Sequence, residues 1–84
     1  MMYSVEWSHP AEKALSKLEK EIIKRILLKV EAIKQEPFQY IKELTNDARF
    51  SLRVGDYRVL LNMDRKERKI LVLTVGHRRN IYKR

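Results

Sequence analysis

Cysteine is absent from this 84-residue chain, so no disulfide framework and no thiolate metal site is available to it. A chain this small without covalent staples fits a reducing cytoplasm better than secretion. Glycine occurs only at Gly55 and Gly76, too far apart to form a phosphate-cradling loop. Histidine occurs only at His9 and His77, and the acids show no clustered ligand spacing, so neither a metal nor a cofactor is expected. The serines have no evident histidine and acid partners for nucleophilic catalysis. No apolar run approaches the roughly 18 residues of a membrane span, and the opening Met-Met-Tyr-Ser-Val-Glu-Trp does not read as a signal peptide. The expectation is one soluble, cytoplasmic domain over residues 1–84. A domain of this size buries only about 60% of the surface its unfolded chain exposes, so its core is thin.

What the chain does have is positive charge. The net charge is +8 and the pI near 10.0, which points toward a polyanion, because neutralising phosphates releases counterions. Residues 1–42 hold seven lysines, one arginine and six glutamates, whereas residues 43–84 hold eight arginines, three lysines and five acids. The excess therefore lies in the second half and is mostly arginine, whose planar fork matches phosphate oxygens as a lysine point charge does not.

Within that half, apolar residues alternate on either side of Gly55 and Asp56, the period of a half-buried strand turning back on itself. A two-residue Gly-Asp loop suits a type II′ turn with Gly55 at the positive-φ position, which sets Val54 opposite Tyr57 and Arg53 opposite Arg58. Ala48, Phe50, Leu52, Val54, Tyr57, Val59, Leu61 and Met63 then face one way. Arg49, Ser51, Arg53, Arg58, Leu60 and Asn62 face the other. Two arginines across a ladder repel each other unless something negative lies over them. From the hairpin alone, a solvated basic face and a phosphate-binding face are equally good readings.

Ahead of the hairpin, Tyr3, Val5 and Trp7 alternate with polar residues as a short first strand. Ser8 or His9 can cap the helix that follows, and Pro10 suits its first turn. Apolar positions from Ala14 to Ile33 make a stripe broad enough to cover a sheet. No glycine or proline interrupts that stripe, so periodicity leaves open one long helix or two with a break near Leu18 to Lys20. Pro37 ends the helical segment. Phe38, Tyr40, Ile41 and Leu44 read as anchors of the connection, and Asn46 and Asp47 as the turn into the hairpin. After a charged loop, Ile70 to Val75 is a nearly unbroken apolar strand, as expected of a central one covered on both faces. The order β, α, β, β, β is that of an α+β layer.

Arginine, histidine and tyrosine suffice to cleave RNA. The neighbouring 2′-hydroxyl is an internal nucleophile, and the protein need supply only a base, an acid and stabilisation of phosphorane charge. The segment Thr-Val-Gly-His-Arg-Arg-Asn-Ile-Tyr-Lys-Arg, residues 74–84, runs directly off the apolar strand. Gly76 is expected to let the backbone turn sharply there, returning His77, Arg78 and Tyr82 toward the arginine face.

Gly76-His77-Arg78-Arg79-Asn80-Ile81-Tyr82 after an apolar strand, with Gly55-Asp56-Tyr57-Arg58 before it, resembles the RelE-type toxins of bacterial and archaeal toxin–antitoxin modules, in the RelE/ParE superfamily. The resemblance spans nearly the whole chain. It implies an α+β fold, a small mostly antiparallel sheet packed against an N-terminal helical hairpin, hence two helices. It also implies a metal-independent endoribonuclease that cuts messenger RNA in the A site of a 70S-type ribosome and is inhibited by a cognate antitoxin. By position, Arg58 matches the arginine that stabilises the transition-state phosphate, Arg78 the tail arginine that acts as acid or charge stabiliser, and Tyr82 the tail tyrosine that stacks on or activates the substrate. Arg49 falls where one member of the family has a lysine. Ser51 falls where that member has a second lysine, and this departure leaves the general base open. His77 is a candidate for it, with an unperturbed pKa near 6.5. Arg49, Ser51, Arg53, Arg79, Lys83 and Arg84 make up the expected RNA-binding surface. ParE-like relatives share the fold, poison DNA gyrase and lack the nuclease set, so retention of Arg58, Arg78 and Tyr82 favours the nuclease branch. A gyrase-inhibiting toxin and a plain basic RNA-binding protein are the alternatives.

Overall fold

The computed structural model describes residues 2–81. Its elements run β1 (Ser4–Trp7), α1 (His9–Ser16), α2 (Lys20–Ala32), a 3₁₀ turn (Pro37–Gln39), β2 (Ile41–Glu43), β3 (Phe50–Val54), β4 (Tyr57–Asp64) and β5 (Lys69–His77). The five strands form one sheet in the order β1-β5-β4-β3-β2. Among the described residues, only the β1–β5 pair is parallel. The fold is α+β, with both helices on one face.

The helical stripe is two helices although no glycine or proline divides it. A single straight helix over residues 9–32 would run roughly 36 Å at 1.5 Å per residue, longer than the molecule's greatest extent of 32 Å. The chain instead breaks at Lys17 to Glu19, where Leu18 packs against the core and its N–H bonds the Leu15 carbonyl at 3.0 Å. Ser8 is the N-cap of α1: its hydroxyl oxygen accepts the Ala11 N–H at 3.2 Å and donates to the Leu73 carbonyl at 3.1 Å. Pro37 opens the 3₁₀ turn and is itself buried. Phe38 anchors that turn edge-on between Tyr3 and Phe50, with ring centroids at 6.1 and 5.8 Å. No helix among the described residues is long and apolar enough to cross a membrane.

The hairpin register is the one that period-2 alternation gives: Val54 pairs Tyr57, Arg53 pairs Arg58, Leu52 pairs Val59. Gly55 has φ +60°, and Asp56 does not share the positive sign, which marks a type II′ turn. Leu52, Val59, Leu61, Ile70 and Val72 on the helix side are fully excluded from solvent, together with Ile26 from α2. Each such side chain contributes roughly 1.5–3 kcal/mol by leaving water.

The structure corrects three expectations. A three-residue edge strand, β2, stands where the sequence suggests only an anchor at Ile41, with Ile41 paired to Leu52 and Lys42 to Ser51; so short a strand is too brief to show a period. The apolar run of β5 is interior, but β4 is the middle strand, and much of the run comes from a β-bulge. Leu60 pairs Thr74 while Leu61 pairs Val72, so Leu73 is an extra residue that shifts the alternation. Ile70 and Val72 meet the core before the bulge and Val75 meets it after, so the strand reads as apolar throughout. Finally, Gly76 makes no turn: it is an ordinary position of β5 opposite Arg58. The chain turns one residue beyond β5, where the N–H groups of Asn80 and Ile81 both bond the His77 carbonyl, at 2.9 and 3.1 Å. Ile81 thereby folds back over Gly76 and is buried on the face away from the helices.

Candidate functional site

On the face away from the helices, β2 to β4 carry an open groove of about 560 Å³, lined among others by Lys42, Asp47, Arg49, Ser51 and Arg58. Alternation and pairing explain its chemistry. Lys42 pairs Ser51 and Ser51 pairs Leu60, so these positions share the outer face with Arg53 and Arg58. Leu60 is buried and Ser51 is nearly so, so the floor is firm. Lys42, Arg49 and Arg58 line the groove together with the carboxylates of Glu43 and Asp47.

The three hairpin arginines are held differently. Arg58 makes a long contact, 3.5 Å, from Nη1 to the carbonyl of its neighbour Tyr57. Arg53 is exposed and bonds the Gly55 carbonyl through Nε at 3.2 Å. Arg49 is gripped by Asp47. Oδ1 accepts its backbone N–H at 2.9 Å and its Nε–H at 3.0 Å, while Oδ2 accepts Nε–H at 2.9 Å and also Nη2–H. The Arg49 guanidinium and N–H hold the Asp47 carboxyl below its ordinary 3.8.

The tail residues divide between the two sides of the sheet. The Arg78 N–H bonds the Asp56 carbonyl at 2.9 Å, carrying the β4–β5 ladder one residue past β5. This sets the Arg78 backbone in phase with Gly76 and Arg58, at the same corner of the sheet, with its side chain exposed. His77 is out of phase: it pairs Tyr57 on the helix side, ring centroids 5.4 Å apart at 74°. Its Nδ1 accepts the Arg79 N–H at 3.2 Å. The groove thus gathers Arg49, Ser51 and Arg58, with Arg53 and Arg78 at its hairpin end and His77 on the opposite face. Arg79 is exposed on the turn. Tyr82, Lys83 and Arg84 lie outside the described residues.

Lys42 and Asp47 are among the groove residues not evident from the sequence. Lys42 is hidden because β2 is hidden. Asp47 looks like no more than a turn marker, although a carboxylate two residues before an arginine is a legible hint once the Asx turn, in which Asp47 accepts the Arg49 N–H, is anticipated.

A profile of the ParE toxin of type II toxin–antitoxin systems matches residues 5–82. The chain belongs to this family, within the RelE/ParE superfamily. Toxin RelG of Mycobacterium tuberculosis is 31% identical over 87 residues, an alignment covering 100% of each chain. Among solved structures, the toxin–antitoxin complex RelBE2 of M. tuberculosis has a chain at TM-score 0.86 and 28% identity, covering 92% of this chain and 99% of that one. The archaeal RelE–RelB complex of Pyrococcus horikoshii has one at TM-score 0.77 and 29% identity, covering 95% and 99%. The chain is therefore a type II toxin–antitoxin toxin with a RelE/ParE fold.

Proposed function

We propose that this toxin is a ribosome-dependent endoribonuclease that cuts messenger RNA by attack of a 2′-hydroxyl on the adjacent phosphate, and that a cognate antitoxin holds it in check. The observation that carries the reading is the outer-face groove, where Arg58 meets Arg49, Lys42 and Ser51 over a buried floor. In the reaction the 2′-oxygen loses its proton and bonds to phosphorus. The P–O5′ bond breaks and the leaving oxygen takes a proton, giving a 2′,3′-cyclic phosphate and a 5′-hydroxyl. Arg58 and Arg78 stabilise the charge gathering on the phosphorane oxygens, and in a site without an evident strong base this electrostatic effect supplies most of the acceleration. His77 is poorly disposed to serve as the base, since it lies across the sheet from Arg58 with Nδ1 already accepting a hydrogen bond. The proton goes instead to solvent or to Tyr82 in its phenolate form. The antitoxin reading draws on the relatives solved as RelB complexes and on the net positive charge of the second half.

The family match also favours a second reading, a ParE-like toxin that poisons gyrase without cutting RNA. Primer extension on cellular messages after induced expression separates the two. Ribosome-phased cuts that vanish with Arg58→Ala support the nuclease, and DNA damage without cuts supports the gyrase poison. In a purified translation system, His77→Ala should leave the shape of the pH–rate profile unchanged. A profile that flattens would restore His77 as the base.

A further inference from the structure

Asp47 fills the edge of Arg49 that a phosphate would use. The Nε and Nη2 side of a guanidinium binds two oxygens of one anion as a fork, and both Asp47 carboxylate oxygens occupy that side. The pair borders the same groove as Lys42, Ser51 and Arg58. We infer that the Asp47 carboxylate stands in for an RNA phosphate on Arg49 and that an incoming phosphate must displace it, an inference that rests on the reading of this groove as the RNA site. A lone anion exchanging with Asp47 gains little, because it trades one carboxylate contact for one phosphate contact. A strand that reaches Arg58 and Lys42 at the same time gains those contacts as well. Asp47 therefore sets a threshold that small phosphates fail and a polynucleotide passes.

Asp47→Asn isolates the effect, because the amide's carbonyl oxygen still accepts the Arg49 N–H that shapes the turn while the charge is gone. The probe is a fluorescein-labelled 2′-O-methyl oligoribonucleotide, which lacks the internal nucleophile, with binding followed by anisotropy across a salt series. Asp47→Asn should tighten binding roughly two- to fivefold, the range of an exposed ion pair. The log–log salt slope should stay near the wild-type value, because the phosphate reaches Arg49 in both complexes once Asp47 is displaced. The gain should disappear when Asp47→Asn is made in an Arg49→Ala background. A gain that persists there is a general loss of negative charge and overturns the inference, as does an unchanged affinity in Asp47→Asn. If Arg58→Ala does not weaken the wild-type complex, the groove is not the RNA site and both readings fall together. If Arg58→Ala weakens it while Asp47→Asn does nothing, only the threshold is refuted.

Discussion

Ser8 joins the start of α1 to the bulge of β5, and its replacement tests both bonds. Ser8→Ala removes the N-cap acceptor for Ala11, a loss of about 1 kcal/mol in typical helices. It also takes a donor from the Leu73 carbonyl in a part-buried place, where an unsatisfied acceptor costs about 1–3 kcal/mol and partial exposure favours the low end. The two together come to about 2 kcal/mol, or a fall in Tm of about 10 °C for a domain of this length. Ser8→Asp separates the contributions. An ionised aspartate is a strong N-cap but has no proton to donate, and it sets a carboxylate against the Leu73 carbonyl. It should still lose about 1 kcal/mol relative to wild type, while Ser8→Thr keeps most of the stability. Urea denaturation with m held constant across the set gives the values. If Ser8→Asp equals or exceeds wild type, the Leu73 bond contributes nothing and the reasoning fails.

Arg58→Ala should slow RNA cleavage roughly 10²- to 10³-fold in the purified translation assay. The same change should leave Tm unchanged or raise it slightly, because it removes the repulsion across the Arg53–Arg58 pair, worth roughly 0.2–1 kcal/mol; a marked loss of stability would refute that account. The two glycines should behave oppositely in thermal melts. Gly55→Ala should cost about 1–2 kcal/mol because of its φ of +60° and the Arg25 guanidinium beside it. Gly76→Ala should be tolerated, since the added methyl meets Ile81 at 3.6 and 3.8 Å, ordinary contact. Asp47 should contribute to acid sensitivity. Its folded carboxyl titrates below 3.8, so its contribution is present above that value and is lost as pH falls through the lowered folded pKa. Asp47→Asn should flatten that limb of a stability–pH curve, and an unchanged limb would refute it.

The hairpin is legible in the sequence because two signals agree there: strict alternation over Ala48 to Met63 and a Gly-Asp pair whose turn type admits one register. The amphipathic stripe from Ala14 to Ile33 is legible as helix but not as two helices. Its break comes from fitting the length of the molecule and burying Leu18, neither of which is a local property. β2 is invisible because three residues cannot display a period. The bulge at Leu73 is hidden for a related reason, since a phase shift between apolar residues leaves an apolar run unchanged. The expected turn at Gly76 overweights glycine's freedom, as the residue is simply a strand position under Ile81. In the site, period 2 places Arg58 with Arg49 and Ser51, but the face of His77 depends on how far β5 continues. The Asp47 grip on Arg49 depends on a side-chain conformation that composition does not encode.

Among the described residues β1 has a single neighbour, β5, and the partners Ser4 and Lys69 are separated by most of the chain. Closing so long a loop is slow relative to forming the β3–β4–β5 meander, whose pairings are local. Folding should therefore begin in the meander, with β1 and α1 docking late. Bonds such as Ser8 to Leu73 would then be absent from the transition state. On this view Ser8→Ala raises the unfolding rate and leaves refolding nearly untouched in stopped-flow chevrons. It also means that a chain still on its way to the native state already displays Arg53 and Arg58 across a finished ladder, while the apolar side of the same sheet waits for its helices. The arginine face is thus older, in folding time, than the core that stabilises it.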